Sequence, residues 1–207
     1  MSGFDAILFD FDGVLIDSEP LHCACWAAAL APLGVKLEWD IYRARYMGVD
    51  DRDMLCHIAA GANPPLDWEM LWARYPVKKE LFQREMQRPQ FVPGLSALLD
   101  ELHPDYKLAV VSSSARLEIE PPLVLGNLRG YFGALIAGED VEHLKPAPDP
   151  YLLAARLLSA QKPLVVEDSP AGITSGRAAG FEVLAVSSAS SMAAALLDRL
   201  SGRSTTA

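Results

Sequence analysis

The 207-residue chain contains no apolar run approaching the roughly 20 residues that a membrane-spanning helix needs. Cysteine is scarce: Cys23, Cys25 and Cys56 are too few for a disulfide framework. Cys23 and Cys25 are two apart in a helical pattern and do not face each other. Reduced thiols in a cytoplasm are therefore expected. Basic residues are outnumbered, 18 Lys and Arg against 27 Asp and Glu, for a formal charge of −9. That balance argues against nucleic acid and anionic membrane as partners, and it requires any anionic ligand to meet locally concentrated positive charge. The N-terminus lacks the basic segment, apolar stretch and small-residue cleavage site of an export signal, which again points to the cytoplasm. There is no internal repeat and no low-complexity segment, and Ser201 to Ala207 reads as a frayed tail. Oligomeric state is not legible.

What is present is a globular composition, 51% hydrophobic and 22% charged. Five short apolar runs read as buried strands: Ala6–Phe9, Lys107–Val111, Ala134–Ala137, Pro163–Val166 and Glu182–Val186. Helical patterns lie between them, at Gly94–Leu102, Pro150–Ser159, Ala171–Ala179 and Met192–Leu200. This alternation predicts an α/β fold with a doubly wound parallel sheet. Polar and acidic residues follow the C-terminal ends of the strands, where such sheets bind ligands. From Asp17 to Gln90 the pattern is helical only, with helices expected at His22–Leu30, Asp51–Ala60 and Asp67–Arg88, the last broken at Pro76. Residues 17–91 therefore read as a helical insertion into a core formed by 1–16 and 92–207.

The first strand runs into Asp10-Phe11-Asp12-Gly13-Val14-Leu15-Ile16-Asp17-Ser18-Glu19. Residues two apart on a strand share a face, which sets Asp10 and Asp12 side by side, and Gly13 permits a sharp turn. Paired carboxylates repel unless a cation or a shared proton compensates. Folding gives no reason for them, so they are candidates for chemistry. Three further segments stand out: Ser112-Ser113-Ser114 after the second apolar strand, Lys145 in Leu144-Lys145-Pro146-Ala147-Pro148-Asp149-Pro150, and Glu167-Asp168-Ser169-Pro170-Ala171-Gly172. Each has a plainer reading. Ser112 fits a helix cap, Lys145 alone is an ordinary surface lysine, and Ser169-Pro170 is a good helix start.

In order and spacing these four segments resemble the haloacid dehalogenase superfamily of aspartate-nucleophile phosphotransferases. The helical insertion resembles the small cap of the subgroup holding phosphoglycolate-type phosphatases and β-phosphoglucomutase. The resemblance implies a Rossmann-like core with an all-helical cap, and a phosphatase acting on a small phosphorylated metabolite, a sugar phosphate or phospho-acid. It implies Asp10 as nucleophile, Asp12 as general acid and base, and Ser112, Ser113 and Lys145 as phosphate-binding groups. A Mg2+ ion is implied at Asp10, the Asp12 carbonyl and Asp168, with Glu167 beside or behind. His22, Arg52, Lys78 and Lys79 are candidate specificity residues, with Arg43 and Arg45 as further cap cations. The rival is an isomerase like β-phosphoglucomutase. His22 and Trp26 match that subgroup, but its cap arginine directly follows a Gly-Val-Ser segment. Here the segment is Gly48-Val49-Asp50-Asp51, and Arg52 arrives one place late. A phospho-acceptor signalling domain fits less well, because it has no place for the insertion or for Asp12. One departure is expected: Glu120-Pro121-Pro122 should interrupt the helix after Ser112, since proline removes a donor and clashes with the preceding turn.

Overall fold

The computed structural model describes residues 3–47 and 49–202. In chain order the elements are β1 (Ala6–Phe9), α1 (Glu19–Leu30), α2 (Trp39–Arg45), α3 (Asp51–Gly61), α4 (Trp68–Trp72), α5 (Tyr75–Glu85), α6 (Leu95–Leu102), β2 (Lys107–Val111), α7 (Arg116–Leu125), β3 (Ala134–Ile136), α8 (Asp149–Leu158), β4 (Pro163–Glu167), α9 (Pro170–Ala178), β5 (Glu182–Ala185) and α10 (Ala189–Leu200). Residues 203–207 of the expected frayed tail, and Gly48, lie outside the described residues. Among the described residues no helix is long and apolar enough to cross a membrane. The chain divides into two compact units, Met1–Asp17 with Arg88–Ala207, and Ser18–Gln87.

The first unit is built on a five-stranded sheet, wholly parallel, in the order β3-β2-β1-β4-β5. Every residue of β1, β3 and β4 is buried, which is why these strands read as continuous apolar runs rather than alternating ones. The edge strand β5 is only partly covered. Strand order reverses at β1: the chain moves outward through β2 and β3, then returns to β4 on the other side. In parallel sheets, right-handed crossovers to either side of such a reversal put helices on opposite faces, and the C-terminal ends of the two strands at the reversal, here β1 and β4, are where such sheets bind ligands. On one side Leu8, Val111, Ile136, Tyr151, Ala154 and Val165 form the packed core. Helix α9 sits close to the sheet because Gly176 leaves room: a Cβ there would lie 2.8 Å from Val183 Cγ2. The chain's departure from β1 and its return before α6 are tied within this unit by an antiparallel bridge, Ile16 to Phe91, and by the Val92 amide donating to Leu15 O at 3.1 Å.

The second unit is all helical and has its own core of Trp26, Leu30, Tyr42, Met54, Leu55 and Leu71. Helix α1 passes into a short 3-10 turn that ends at Gly34, whose φ of +75° favours glycine. The expected break at Pro76 falls just before it. Helix α4 closes at Trp72, and Pro76 sits in the first turn of α5, where its missing N–H costs nothing. Helix α2 was not anticipated; it is seven residues long with Tyr42 as its one buried side chain, too little apolar periodicity to read.

The expected interruption at Glu120-Pro121-Pro122 is not found: α7 runs unbroken through both prolines. Ile119, Pro122 and Leu123 are buried at helical spacing, and their packing outweighs the two absent donors. The carbonyl deprived by Pro121 belongs to Leu117, a residue 75% exposed, so water can satisfy it. Pro121→Ala should restore that donor and stabilise the protein by about 1–2 kcal/mol, net of the entropy it returns to the unfolded chain. Urea unfolding of the purified variant checks this, and an unchanged or lower midpoint would contradict it.

Candidate active site

Asp10 directly follows β1, and its amide donates to Val166 O of the neighbouring β4 at 3.0 Å. This pairing brings the end of β1 beside Glu167, the last residue of β4. Lys145 reaches the same point from the loop before α8. Its Nζ donates to Asp10 Oδ1 at 2.5 Å, to Glu167 Oε1 at 2.7 Å and to Val111 O at 2.9 Å. All three ammonium protons are therefore placed. Three charged groups are buried here together: Asp10 is 7% exposed, Glu167 fully buried, and the Lys145 side chain 6% exposed.

Glu167 is saturated by the protein. Oε1 accepts from Lys145 and from the Tyr151 hydroxyl at 2.9 Å. Oε2 accepts from the amides of Asp168 and Ser169 and from Ser169 Oγ, at 2.9–3.0 Å. Ser169 also caps α9 by accepting from the Gly172 amide at 3.0 Å. Gly172 must be glycine, since a Cβ there would fall 1.5 Å from Glu167 Oε1. Gly13 is under the same constraint: its φ is +75°, and a Cβ would lie 1.9 Å from Asp168 Oδ2. The turn after Asp12 thus lies against the Asp168 carboxylate.

Burial pushes the Asp10 carboxyl well above the usual carboxylate range; Lys145 pulls it down, while the charges of Glu167 and Asp12 add to the rise. For Lys145 burial acts to lower the value, but the charges and hydrogen bonds of Asp10 and Glu167 prevail and hold it above the ordinary lysine range. Burial and the Glu167 charge raise the Tyr151 phenol, so it stays a donor. One lysine does not fully offset this group of acids. Carboxylate oxygens of Asp10, Glu167 and Asp168 lie within 4.8 Å of one another, an all-oxygen set suited to a hard divalent cation. Because both Glu167 oxygens are occupied, Asp10 and Asp168 are the better placed to reach an ion, with Glu167 behind them.

Asp12 accepts from Ser114 Oγ at 3.1 Å. Ser112 is buried and is not a helix cap: α7 begins at Arg116, and Ser112 Oγ accepts from the Ser114 amide at 3.0 Å. The Arg116 amide at the helix start donates to both oxygens of Glu139. Two of the backbone amides that follow Ser112, those of Ser114 and Arg116, are thus already engaged within the protein. Ser113 is exposed, its carbonyl lying where a Cβ on Gly138 would come within 2.5 Å. Ser114, Tyr151 and Glu139 were not identified from sequence. Only Ser114 carried a signal there, as the third residue of the serine run.

The specificity candidates lie in the helical unit. His22 stacks on Phe82 with ring centroids 4.3 Å apart, and the Arg52 guanidinium lies 4.8 Å from the Trp72 ring centroid. Lys78 is buried, donates to Asp51 Oδ2 at 3.1 Å and sits over the rings of Trp26, Tyr75 and Phe82. Asp51 accepts from Trp26 Nε1 as well, at 2.7 Å. Of the two candidate lysines, Lys78 is therefore neutralised within the unit, while Lys79 is half-buried.

Lys145→Met should destabilise the chelator-treated protein by about 3–5 kcal/mol at neutral pH, because Asp10 and Glu167 lose their shared counter-charge. Asp10 has a folded-state pKa above its ordinary value of 3.8, so its ionisation opposes folding. That penalty is absent below the unfolded value and grows as pH rises towards the folded one. Removing Lys145 enlarges it, so the deficit should shrink in acid. Urea unfolding at several pH values reads this directly; a deficit constant with pH would contradict it.

The family described as haloacid dehalogenase-like hydrolase matches residues 7–186. A phosphorylated carbohydrates phosphatase of Thermotoga maritima is 30% identical over 181 residues, covering 86% of this chain and 82% of that protein. Fructose-1-phosphate phosphatase YqaB of Escherichia coli is 29% identical over 198 residues, covering 88% and 96%. The crystal structure of a β-phosphoglucomutase candidate from Thermotoga maritima superposes with a TM-score of 0.68 at 28% identity, covering 95% of this chain and 91% of that one. With the match extending from the first strand to the last, the chain belongs to the haloacid dehalogenase-like hydrolase family.

Proposed function

We propose that the protein is a magnesium-dependent phosphatase that hydrolyses a small phosphorylated metabolite, a sugar phosphate or phospho-acid, through an aspartyl-phosphate on Asp10. The observation that carries this reading is the buried Asp10 carboxylate. It is held at one oxygen by Lys145 and lies among acids that one lysine does not neutralise. The names of the curated relatives, both phosphatases of phosphorylated sugars, support the substrate class.

In this proposal Asp10, Asp168 and the Asp12 carbonyl hold Mg2+, and Glu167 fixes the loop that carries Asp168. When bound, the ion offsets the repulsion between carboxylate and phosphate and helps align the attack. The lysine bond fixes the orientation of Asp10, so that one oxygen is anchored and the other attacks phosphorus. Asp12 protonates the leaving alcohol and then takes a proton from the water that cleaves the aspartyl-phosphate. Ser114 holds the Asp12 carboxylate in place for both transfers. Phosphoryl transfer is mostly positioning and charge stabilisation, which suits a site fixed by so many hydrogen bonds. The helical unit, proposed as the cap, supplies the residues that choose the substrate, Arg52 and Lys79 among them. The mutase-like structural neighbour keeps the isomerase as a second reading. Conversion of β-glucose 1-phosphate to glucose 6-phosphate faster than release of free phosphate would favour it.

A screen of phosphorylated metabolites with magnesium tests the main reading. Asp10→Asn should fold normally and lose nearly all turnover, and Asp12→Asn should lose about 10²–10⁴-fold in kcat. Near-wild-type activity in purified Asp10→Asn, or full turnover after chelation, would overturn the proposal. Arg52→Ala should raise KM for the physiological ester while leaving hydrolysis of a small aryl phosphate unchanged.

A further inference from the structure

A concave surface lies wholly within the helical unit; of the candidate residues named above it includes Arg45, a cap cation given no role in the proposed hydrolysis. The segment 33–37, α2, α3 and the 61–66 loop enclose a cavity of about 500 Å³. That volume is in the range of small-molecule pockets. Leu33, Val35, Leu37, Ile41, Ile58 and Leu66 supply apolar walls. Ile41 is 46% exposed, an apolar side chain on the wall that the protein leaves open to water. At the rim stand Lys36, Arg45 and His57, the last meeting Tyr46 edge-on with centroids 5.7 Å apart.

The charge of this lining is the informative feature. The chain as a whole carries 27 acids against 18 lysines and arginines, yet the cavity is lined by Lys36 and Arg45 and by no Asp or Glu. Among the described residues neither Lys36 nor Arg45 is engaged in an ion pair or hydrogen bond by its side chain. Helices α2 and α3 both end on this wall, and each C-terminus contributes a partial negative charge of about one half. Two full positive charges exceed that. The surface therefore combines an apolar slot with a cationic rim, which is the complement of a molecule with an apolar body and an anionic head.

We propose that this cavity binds a small amphipathic anion, specifically a carboxylate on a short aliphatic or aryl body. The head pairs with Arg45 and Lys36, where the Arg45 fork matches a carboxylate in bidentate geometry. The body covers Ile41, Ile58 and Leu66. This site is independent of the phosphatase reading, since none of its residues takes part in the proposed hydrolysis.

The test is binding to the whole protein followed by amide NMR and calorimetry, with octanoate as the probe, 1-octanol as a neutral probe with the same tail, and acetate as a head without a tail. Octanoate should shift the amides of residues 33–37 and 57–66 saturably. Octanol and acetate should each bind at least about tenfold more weakly, as expected for losing either a charge-assisted bond or the apolar contact. Lys36→Gln with Arg45→Gln should weaken octanoate by a similar factor; both residues are exposed, and circular dichroism checks that the double variant is folded. No saturable shift at those amides would overturn the proposal. So would octanol binding as tightly as octanoate, or unchanged octanoate binding in the double variant.

Discussion

The arrangement depends on burying two carboxylates, Asp10 and Glu167, against a single ammonium, that of Lys145. At hydrogen-bond distance each ion pair is worth several kcal/mol, but removing the charges from water costs a comparable amount. The cluster is therefore poor as a fold stabiliser and persists because its surroundings hold it. The surroundings are extensive: a strand pairing that sets Asp10 beside β4, a tyrosine, a serine and two amides on Glu167, and a Val111 carbonyl on the lysine. Among the described residues no buried side-chain polar atom is left without a hydrogen bond. A group of charges so tightly satisfied is rigid, and rigidity is what the attack proposed for Asp10 would require.

Two glycines show how this requirement reaches into the sequence. At Gly13 and Gly172 the volume of a Cβ is already taken by a carboxylate oxygen, of Asp168 and Glu167 respectively. The turn after Asp12 and the first turn of α9 are each shaped around an acid that belongs to the site. Side-chain chemistry is thus matched by places where side chains are excluded.

The strands were legible because parallel strands buried on both faces read as uninterrupted apolar runs, and the acids because they follow such runs; Lys145 was legible only through its proline-flanked segment and its place in the order of the four segments. The partners of those groups were not. Ser114 meets Asp12 across 102 positions, and Tyr151 meets Glu167 from a helix whose pattern reads as core packing. Sequence spacing carries no mark of such contacts. Helix α7 was misread because local propensity counted two missing donors, while the burial of Ile119, Pro122 and Leu123 came from elsewhere in the fold. Ser112 looked like a cap because it precedes a helix; the helix starts later, and its first amide is met by Glu139 instead.

The central position of β1 also bears on the order in which the protein can form. Ala6 pairs with Lys107 on one side and Pro163 on the other. A ribosome therefore delivers the strand that leads to Asp10 before either neighbour, and its second neighbour, β4, arrives only after segment 18–87, β2 and β3 have been made. Segment 18–87, by contrast, is continuous and carries its own apolar core. Domains tend to form as units during synthesis, and pairings distant in sequence form late. The inserted helices can thus assemble while β1 still waits, an apolar strand exposed on both edges, for partners not yet translated.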